Sequence, residues 1–371
     1  MNSMLFHPFE IAICGYSGSG KTTLIAAVVR HLSARFTIGY FKHGCHQFAI
    51  DQEGKDSWTI KEAGALTVMI SDPDKKAIVT QERGPFSYLE QHAFSEMDML
   101  LVEGLKEIPL PKLLLVDKER KILDLLSNGS VTNVAALVVP DEPLLYTAHN
   151  IPVLHRDHTE DIAAFIESFL ITRSSRECLL HGLVLAGGQS QRMGHDKALI
   201  AYHAENQLRH TANLLSEQCH DVFVSCREEQ AESYRQFGIP LITDRYLGIG
   251  PMGGLLSAQQ FRPGAAWVVA ACDMPFLDHT TFTQLCIERN QFRFATAFRS
   301  PDSGALEPLF ACYEPKTRNH LFQRHCEGKN SLSAFLKEAR IQELTSLKSN
   351  ALQNINDGEE RELLRNKFEI T

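Results

Sequence analysis

A glycine loop closing on Gly-Lys-Thr, set between an apolar strand and a helical run, leaves a chain very few folds to choose from. Phe9–Cys14 is short and β-prone, Gly15–Thr22 reads GYSGSGKT, and Thr23–Ser33 carries helical periodicity. The loop matches G-x-x-x-x-G-K-[ST] in full, and its flanks are those the motif needs. Backbone N–H groups of Gly15, Ser17, Gly18, Ser19 and Gly20 would cradle a β-phosphate, Lys21 would reach the β and γ oxygens, and Thr22, with Thr23 beside it, would start the helix and offer a hydroxyl to Mg²⁺. The expected fold is α/β, with a parallel, doubly wound sheet.

The same logic recurs about halfway along. His181–Leu185 reads as a buried strand, Gly187-Gly188 follow Leu185 and Ala186, and Ala198 opens a helix-like segment. Between them lie Arg192, able to grip a phosphate with its fork, and Lys197, a point charge. A double glycine alone is a tight turn; two cations after a buried strand favour a second phosphate loop. Two α/β domains are therefore expected, at residues 1–172 and 181–371, joined by a polar linker over 173–180 (Thr172–Cys178 reads TRSSREC). A short joint would hold the two sites at an effective concentration on the order of mM.

Composition narrows the functional classes. The net charge of −8 gives no basic excess for nucleic-acid binding, and the chain shows neither a secretory leader nor an apolar run long enough to span a membrane. Nine cysteines without paired spacing suit a reducing compartment, so a cytoplasmic protein is expected.

Along the first half, strands are expected at Phe36–Phe41, Thr67–Ile70, Met97–Gly104, Lys112–Val116, Asn133–Val139 and Ile151–Leu154, with a helix over Glu160–Leu170. Glu103 closes one of these strands, where a carboxylate either contacts Mg²⁺ or only meets solvent. His43, Cys45 and His46 invite a zinc reading, but three ligands within four positions and no fourth partner favour a phosphate-facing loop. Asp51 and Asp56 either help hold the nucleotide's magnesium or are simply solvated.

In the second half, strands are expected at Asp221–Ser225 and Pro240–Asp244. A glycine-rich turn, Gly248–Gly254, precedes a helix over Leu255–Gln260. Asp273 ends the most apolar run, Ala265–Cys272. A carboxylate there is costly unless paired or metal-bound, so Asp273 is the candidate Mg²⁺ ligand, against a helix-capping or turn role. Asp357 with Glu360 has the form of a capping box.

LAGGQSQRMGHDKAL, at residues 185–199, resembles the signature of the molybdenum cofactor guanylyltransferases (MobA type). The resemblance implies a Rossmann-like nucleotidyltransferase that joins GMP from GTP to molybdopterin and releases pyrophosphate, with Mg²⁺. It implies GTP contacts from Leu185, Ala186, Gly187, Gly188, Lys197, Asp244, Gly254 and Asp273, and catalytic roles for Arg192, Lys197 and Asp273. Glu307, in EPLF, and Asn354 and Asn356, in NIN, would line the acceptor pocket. LAGG and GPM-GG favour guanine over a CTP-using relative. The family's base-contacting asparagine is replaced by Cys226.

GYSGSGKTTL, FKHGCHQFAIDQEGKDSW, EAGA, LLVEGLK and PKLLLV resemble the molybdopterin-guanine dinucleotide biosynthesis adapters (MobB type) over most of residues 8–172. That implies a P-loop GTP-binding domain of slow hydrolysis, often dimeric, in a supporting role. An independent NTPase or kinase is the other reading. The paired resemblance implies contacts with molybdenum insertion proteins and apo-molybdoenzymes.

Overall fold

The computed structural model describes residues 5–43, 52–81, 88–140, 150–186, 206–300, 303–346 and 351–353. The chain divides into two compact units, Met1–Thr172 and Arg173–Thr371.

The first unit runs β1 (Glu10–Cys14), α1 (Lys21–Leu32), β2 (Ile38–Lys42), α2 (Asp56–Glu62), β3 (Thr67–Ser71), β4 (Lys76–Thr80), α3 (Tyr88–Phe94), β5 (Met99–Glu103), β6 (Lys112–Leu115), α4 (Ile122–Ser127), β7 (Val134–Val139) and β8 (Val153–His155), and α5 (Thr159–Glu177) starts in it. Six strands form one parallel sheet, β2-β5-β1-β6-β7-β8. Parallel strands covered on both faces are apolar throughout, and β1, β5 and β6 are buried at every position. Lys112, inside β6, is tolerated because its ammonium donates to the carbonyls of Ile108 (2.7 Å) and Thr132 (2.8 Å).

Two expectations for this unit are corrected. Thr67–Ile70 is not a buried strand of the main sheet. It pairs antiparallel with β4 in a separate hairpin and leaves Met69, Ile70 and Ile78 exposed. The polar stretch from Thr172 does not break the helix either: α5 continues to Glu177, where Arg173 and Glu177 pair one turn apart. Charged residues suit the open side of a helix as well as they suit a linker.

The second unit adds β9 (Leu180–Leu185), α6 (Gln207–Ser216), β10 (Val222–Cys226), α7 (Glu228–Arg235), β11 (Leu241–Thr243), α8 (Pro251–Phe261), β12 (Ala266–Ala271), α9 (His279–Ile287), β13 (Ala295–Arg299), β14 (Leu306–Tyr313), α10 (Thr317–Cys326), α11 (Leu332–Glu338) and β15 (Gln342–Thr345). The sheet order is β11-β10-β9-β12-β14-β13-β15; only β14 runs against its neighbours. Strand alternation sends β12 side chains to two cores. Val268 and Ala270 meet α6 and α9, whereas Trp267 and Val269 meet α8 and α11. Helices thus cover both faces, as expected of a doubly wound domain, with a mixed rather than wholly parallel sheet.

The glycine-rich turn is shorter than expected. Gly250, at a φ of 65°, caps α8, and Pro251 takes its first position, so Gly253 and Gly254 are helical. Their lack of a side chain is a packing requirement: a Cβ on Gly253 would lie 2.1 Å from the Tyr246 carbonyl oxygen. Gly253→Ala should therefore destabilise this unit by about 3 kcal/mol in thermal unfolding. A loss below about 1 kcal/mol would show that Tyr246 can move aside.

Candidate functional site

In the first unit, the loop leaves β1 at the sheet's centre and enters α1 at Lys21, with Gly18 and Gly20 at φ of 75° and 88°. Gly15 is needed for space, since a Cβ would meet Ser19 Oγ at 2.7 Å and Leu115. Ser17, Gly18, Thr22 and Thr23 are exposed along the rim, while Ser19 Oγ is buried with no hydrogen-bond partner among the described residues. Lys21 folds back and donates to the Tyr16 carbonyl at 2.8 Å.

Register explains Glu103. It pairs with Ile13 of β1 and Lys42 of β2 at the carboxyl end of the sheet. Its carboxylate accepts from Thr22 Oγ1 (2.9 Å) and Tyr40 Oη (2.8 Å) and pairs with Lys42 Nζ (3.1 Å). Burial alone would raise its pKa, but hydrogen bonds from Tyr40, Lys42 and Thr22 outweigh it and hold the group below the usual carboxylate range. The structure brings the loop hydroxyl and the strand-end acid together as two hard oxygen donors, the kind Mg²⁺ prefers. Lys42 and Tyr40 were not singled out by sequence reasoning; alternation in β2 gave no signal for them. Asp56 sits exposed at the start of α2. His43 is described, whereas Cys45, His46 and Asp51 lie outside the described residues.

In the second unit, β9 leads through α6, β10 and α7 to β11 on one side, and the chain then crosses by α8 to β12 on the other. The crevice between the carboxyl ends of β9 and β12 is thus the switch point where ligands sit in such sheets. Leu185 pairs with Ala271, and Asp273 follows two residues later. Ala186 is anchored on both sides: its N–H donates to the Ser225 carbonyl (3.0 Å), and Tyr234 Oη donates to its carbonyl (3.3 Å). Gly187, Gly188, Arg192 and Lys197 lie outside the described residues, as do Asn354, Asn356, Asp357 and Glu360.

Asp273 occupies the turn after β12 and does not cap α9; Asp278 does, accepting from Thr281 N–H at 2.9 Å. Gln207 steadies this turn through a bond from its amide to the Met274 carbonyl (3.3 Å). The antiparallel partner supplies the second acid. Ala270 pairs with Phe310, and the same register continued places Glu307 opposite Asp273. The Glu307 carboxyl is pushed up chiefly by burial, against the Leu309 N–H, with the Asp273 charge adding to the rise. Two carboxylates that feel each other's charge at one strand end fit a divalent cation, which would relieve their repulsion.

Asp244 follows β11 and accepts from Ser225 Oγ at 2.5 Å. Burial raises its pKa, with Ser225 and Arg227 opposing. It faces an open cleft of about 670 Å³, also lined by Arg227, Thr243, Arg245 and Gly248. Gly254 packs beneath, where a Cβ would lie 2.4 Å from Ser225 Oγ. Cys226 is fully buried, and burial with the nearby Asp244 and Glu228 charges raises its thiol to about 11. Ser225 was missed because a polar residue in an apolar run looks like an ordinary interruption, and Gln207 and Tyr234 because polar helical stretches give no local signal for bonds that reach across the fold.

A P-loop nucleotide-binding unit followed by a nucleotidyltransferase unit is the class that this fold and these sites define. Residues 10–139 match the model of molybdopterin guanine dinucleotide synthesis protein B, and residues 182–344 match that of the MobA-like NTP transferase domain. The chain belongs to the molybdopterin-guanine dinucleotide biosynthesis adapter family in its first unit and carries a MobA-like NTP transferase domain in its second. A Haemophilus influenzae molybdopterin-guanine dinucleotide biosynthesis adapter protein is 37% identical, over 43% of this chain and 88% of its own length. A Bacillus cereus probable molybdenum cofactor guanylyltransferase is 28% identical, over 43% of this chain and 80% of its own. A Synechocystis molybdenum cofactor biosynthesis bifunctional protein is 38% identical over 37% of this chain, and the match spans only 39% of that relative.

Proposed function

We propose that the second unit transfers the GMP moiety of GTP to the terminal phosphate of molybdopterin, and that the first unit binds GTP in an accessory role. The observation that carries the reading is the Asp273–Glu307 pair at the switch-point crevice, beside the strand end from which the glycine loop departs. The names of the relatives supply the substrate class.

The acceptor is a phosphate monoester, largely dianionic at neutral pH because its second pKa is about 6. Its oxygen attacks the α-phosphorus of GTP, the bond to the bridging α–β oxygen breaks, and pyrophosphate leaves with that electron pair. No general base is needed. The work left to the protein is positioning and charge neutralisation. Asp273 and Glu307 would hold Mg²⁺, which when bound neutralises phosphate charge. Arg192 and Lys197 would take the triphosphate, and Asn354 and Asn356 would join Glu307 in the acceptor pocket. Burial of Cys226 leaves guanine selection to Asp244 and the backbone groups of residues 244–250.

In the first unit, Lys21 would hold the β and γ phosphates, with Thr22 and Glu103 around the metal. Exposed Met69, Ile70 and Ile78 on the β3–β4 hairpin support a homodimer through this unit. Partnership with molybdenum insertion proteins and apo-molybdoenzymes, and a cytoplasmic location, complete the proposal. Among the described residues, no helix is long and apolar enough to cross a membrane.

The test supplies the full chain with Mg²⁺, molybdopterin and either GTP or CTP, and follows pyrophosphate and dinucleotide. Product with GTP alone is expected; product with CTP alone overturns the base assignment. Lys21→Ala should remove GTP hydrolysis by the first unit and leave transfer within about twofold. Collapse of transfer in that variant would sink the accessory role.

A further inference from the structure

The amino ends of β9 and β10, at the opposite end of the strands from the crevice, carry a cluster that neither nucleotide site uses. His181 is the second residue of β9, and His220 and Asp221 immediately precede β10. Backbone bonds hold them in place: His220 N–H donates to the Leu180 carbonyl (2.8 Å), and Gly182 N–H donates to that of Asp221 (2.9 Å). The His181 ring is 1% exposed and packs against Trp267 (5.3 Å between centroids), Phe223 (5.7 Å) and His220 (5.6 Å).

The donor atoms converge. Asp221 Oδ2 lies 3.5 Å from His181 Nδ1 and 3.2 Å from His220 Nδ1, and one ligand atom from each residue falls within 4.8 Å of the others. His181 Nδ1 is buried and makes no well-formed hydrogen bond among the described residues, with the Asp221 carboxylate at 3.5 Å as its charged neighbour. Metal–nitrogen and metal–oxygen bonds near 2.0–2.2 Å set tetrahedral donors roughly 3.3–3.5 Å apart, close to the separations from the carboxylate. A wider gap between the imidazoles would be closed by a turn of the His220 side chain, which is more than half exposed.

We propose that His181, His220 and Asp221 form a site for a divalent transition ion of the zinc class, with its fourth position open to solvent. Two imidazoles and one carboxylate suit such an ion; Mg²⁺ would prefer an all-oxygen set. The site competes with one neighbour. Arg262 Nη2 lies 3.6 Å from Asp221 Oδ2, with its guanidinium over the Phe223 and Phe261 rings, and it draws on the same carboxylate. Removing that cation should strengthen binding.

The chain has two tryptophans, so Trp58→Phe leaves Trp267, packed on His181, as the sole indole reporter. Titrating this full-length variant with Co²⁺ should give saturable fluorescence quenching that added Zn²⁺ reverses. His220→Ala and Asp221→Asn should each weaken binding at least about tenfold, and Arg262→Gln should tighten it. These three positions are partly exposed, so their variants should fold, with circular dichroism as the check. Absence of saturable quenching, or quenching indifferent to His220→Ala, would overturn the site and leave a His–Asp–Arg ion network in its place.

Discussion

Replacing Asp273 with asparagine should lower dinucleotide formation by at least about a thousandfold, roughly 4 kcal/mol of transition-state stabilisation, while the folded second unit keeps or gains stability. The substitution preserves shape, so the turn after β12 and the Gln207 bond to Met274 should stand. On the proposed reading, what is lost is one of two anionic oxygen donors for Mg²⁺ at the switch point. Glu307 alone then faces the polyanionic substrates, and Mg²⁺ affinity should fall with activity. Stability should not fall, because the charge that helps push Glu307 upward has gone. The Glu307 titration should move back toward the ordinary carboxylate range, which a Mg²⁺-free pH titration of the variant would detect. Product formation within tenfold of the parent would remove Asp273 from the reaction.

The second large effect concerns folding. Arg289 donates from Nε and Nη2 to the two oxygens of Glu314, at 2.6 and 2.8 Å, with the two side chains only 9% and 2% exposed. Burial alone would lower the guanidinium's pKa; the Glu314 charge overrides that and raises it well above its ordinary value. Arg289→Met leaves a buried carboxylate without its partner, and should cost about 3–5 kcal/mol in denaturant unfolding. Pairing it with Glu314→Leu should recover most of that loss, since an apolar pair removes both desolvation penalties. If the double variant is no more stable than the single one, the site needs the ion pair for more than charge balance.

Motif spacing and strand endings carried most of what could be read in advance. The P-loop is legible because its chemistry is local: glycines, lysine and threonine act within eight consecutive positions. Asp273 is legible because a carboxylate ending an apolar run is expensive, and Asp244 through its place at a strand end and the family resemblance. Glu307 is different. Its place opposite Asp273 depends on β14 pairing antiparallel with β12, a register between segments more than thirty positions apart that no local pattern encodes. Ser225, Gln207 and Tyr234 support the site through long-range bonds of the same kind. Apolar alternation is ambiguous in another way: Thr67–Ile70 has the composition of a core strand, yet its hairpin turns it outward. Gly253 and Gly254 read as loop residues, although what fixes them is the carbonyl and hydroxyl lying against the helix.

The reversed direction of β14 also bears on how such an enzyme can change. A strand running with its neighbours delivers its last residues to the ligand edge, after which the chain must turn back into a covering helix. β14 delivers its first residues there, directly after the turn through Ser303–Ala305. Lengthening a surface turn costs little closure entropy, only about 0.6 kcal/mol for each doubling. Insertions before Leu306 would therefore reshape the rim beside Glu307 while the β12–β14 register, fixed further along, stayed as it is. The same proposed metal-holding pair could then serve acceptors of different bulk, with novelty entering through a single short turn.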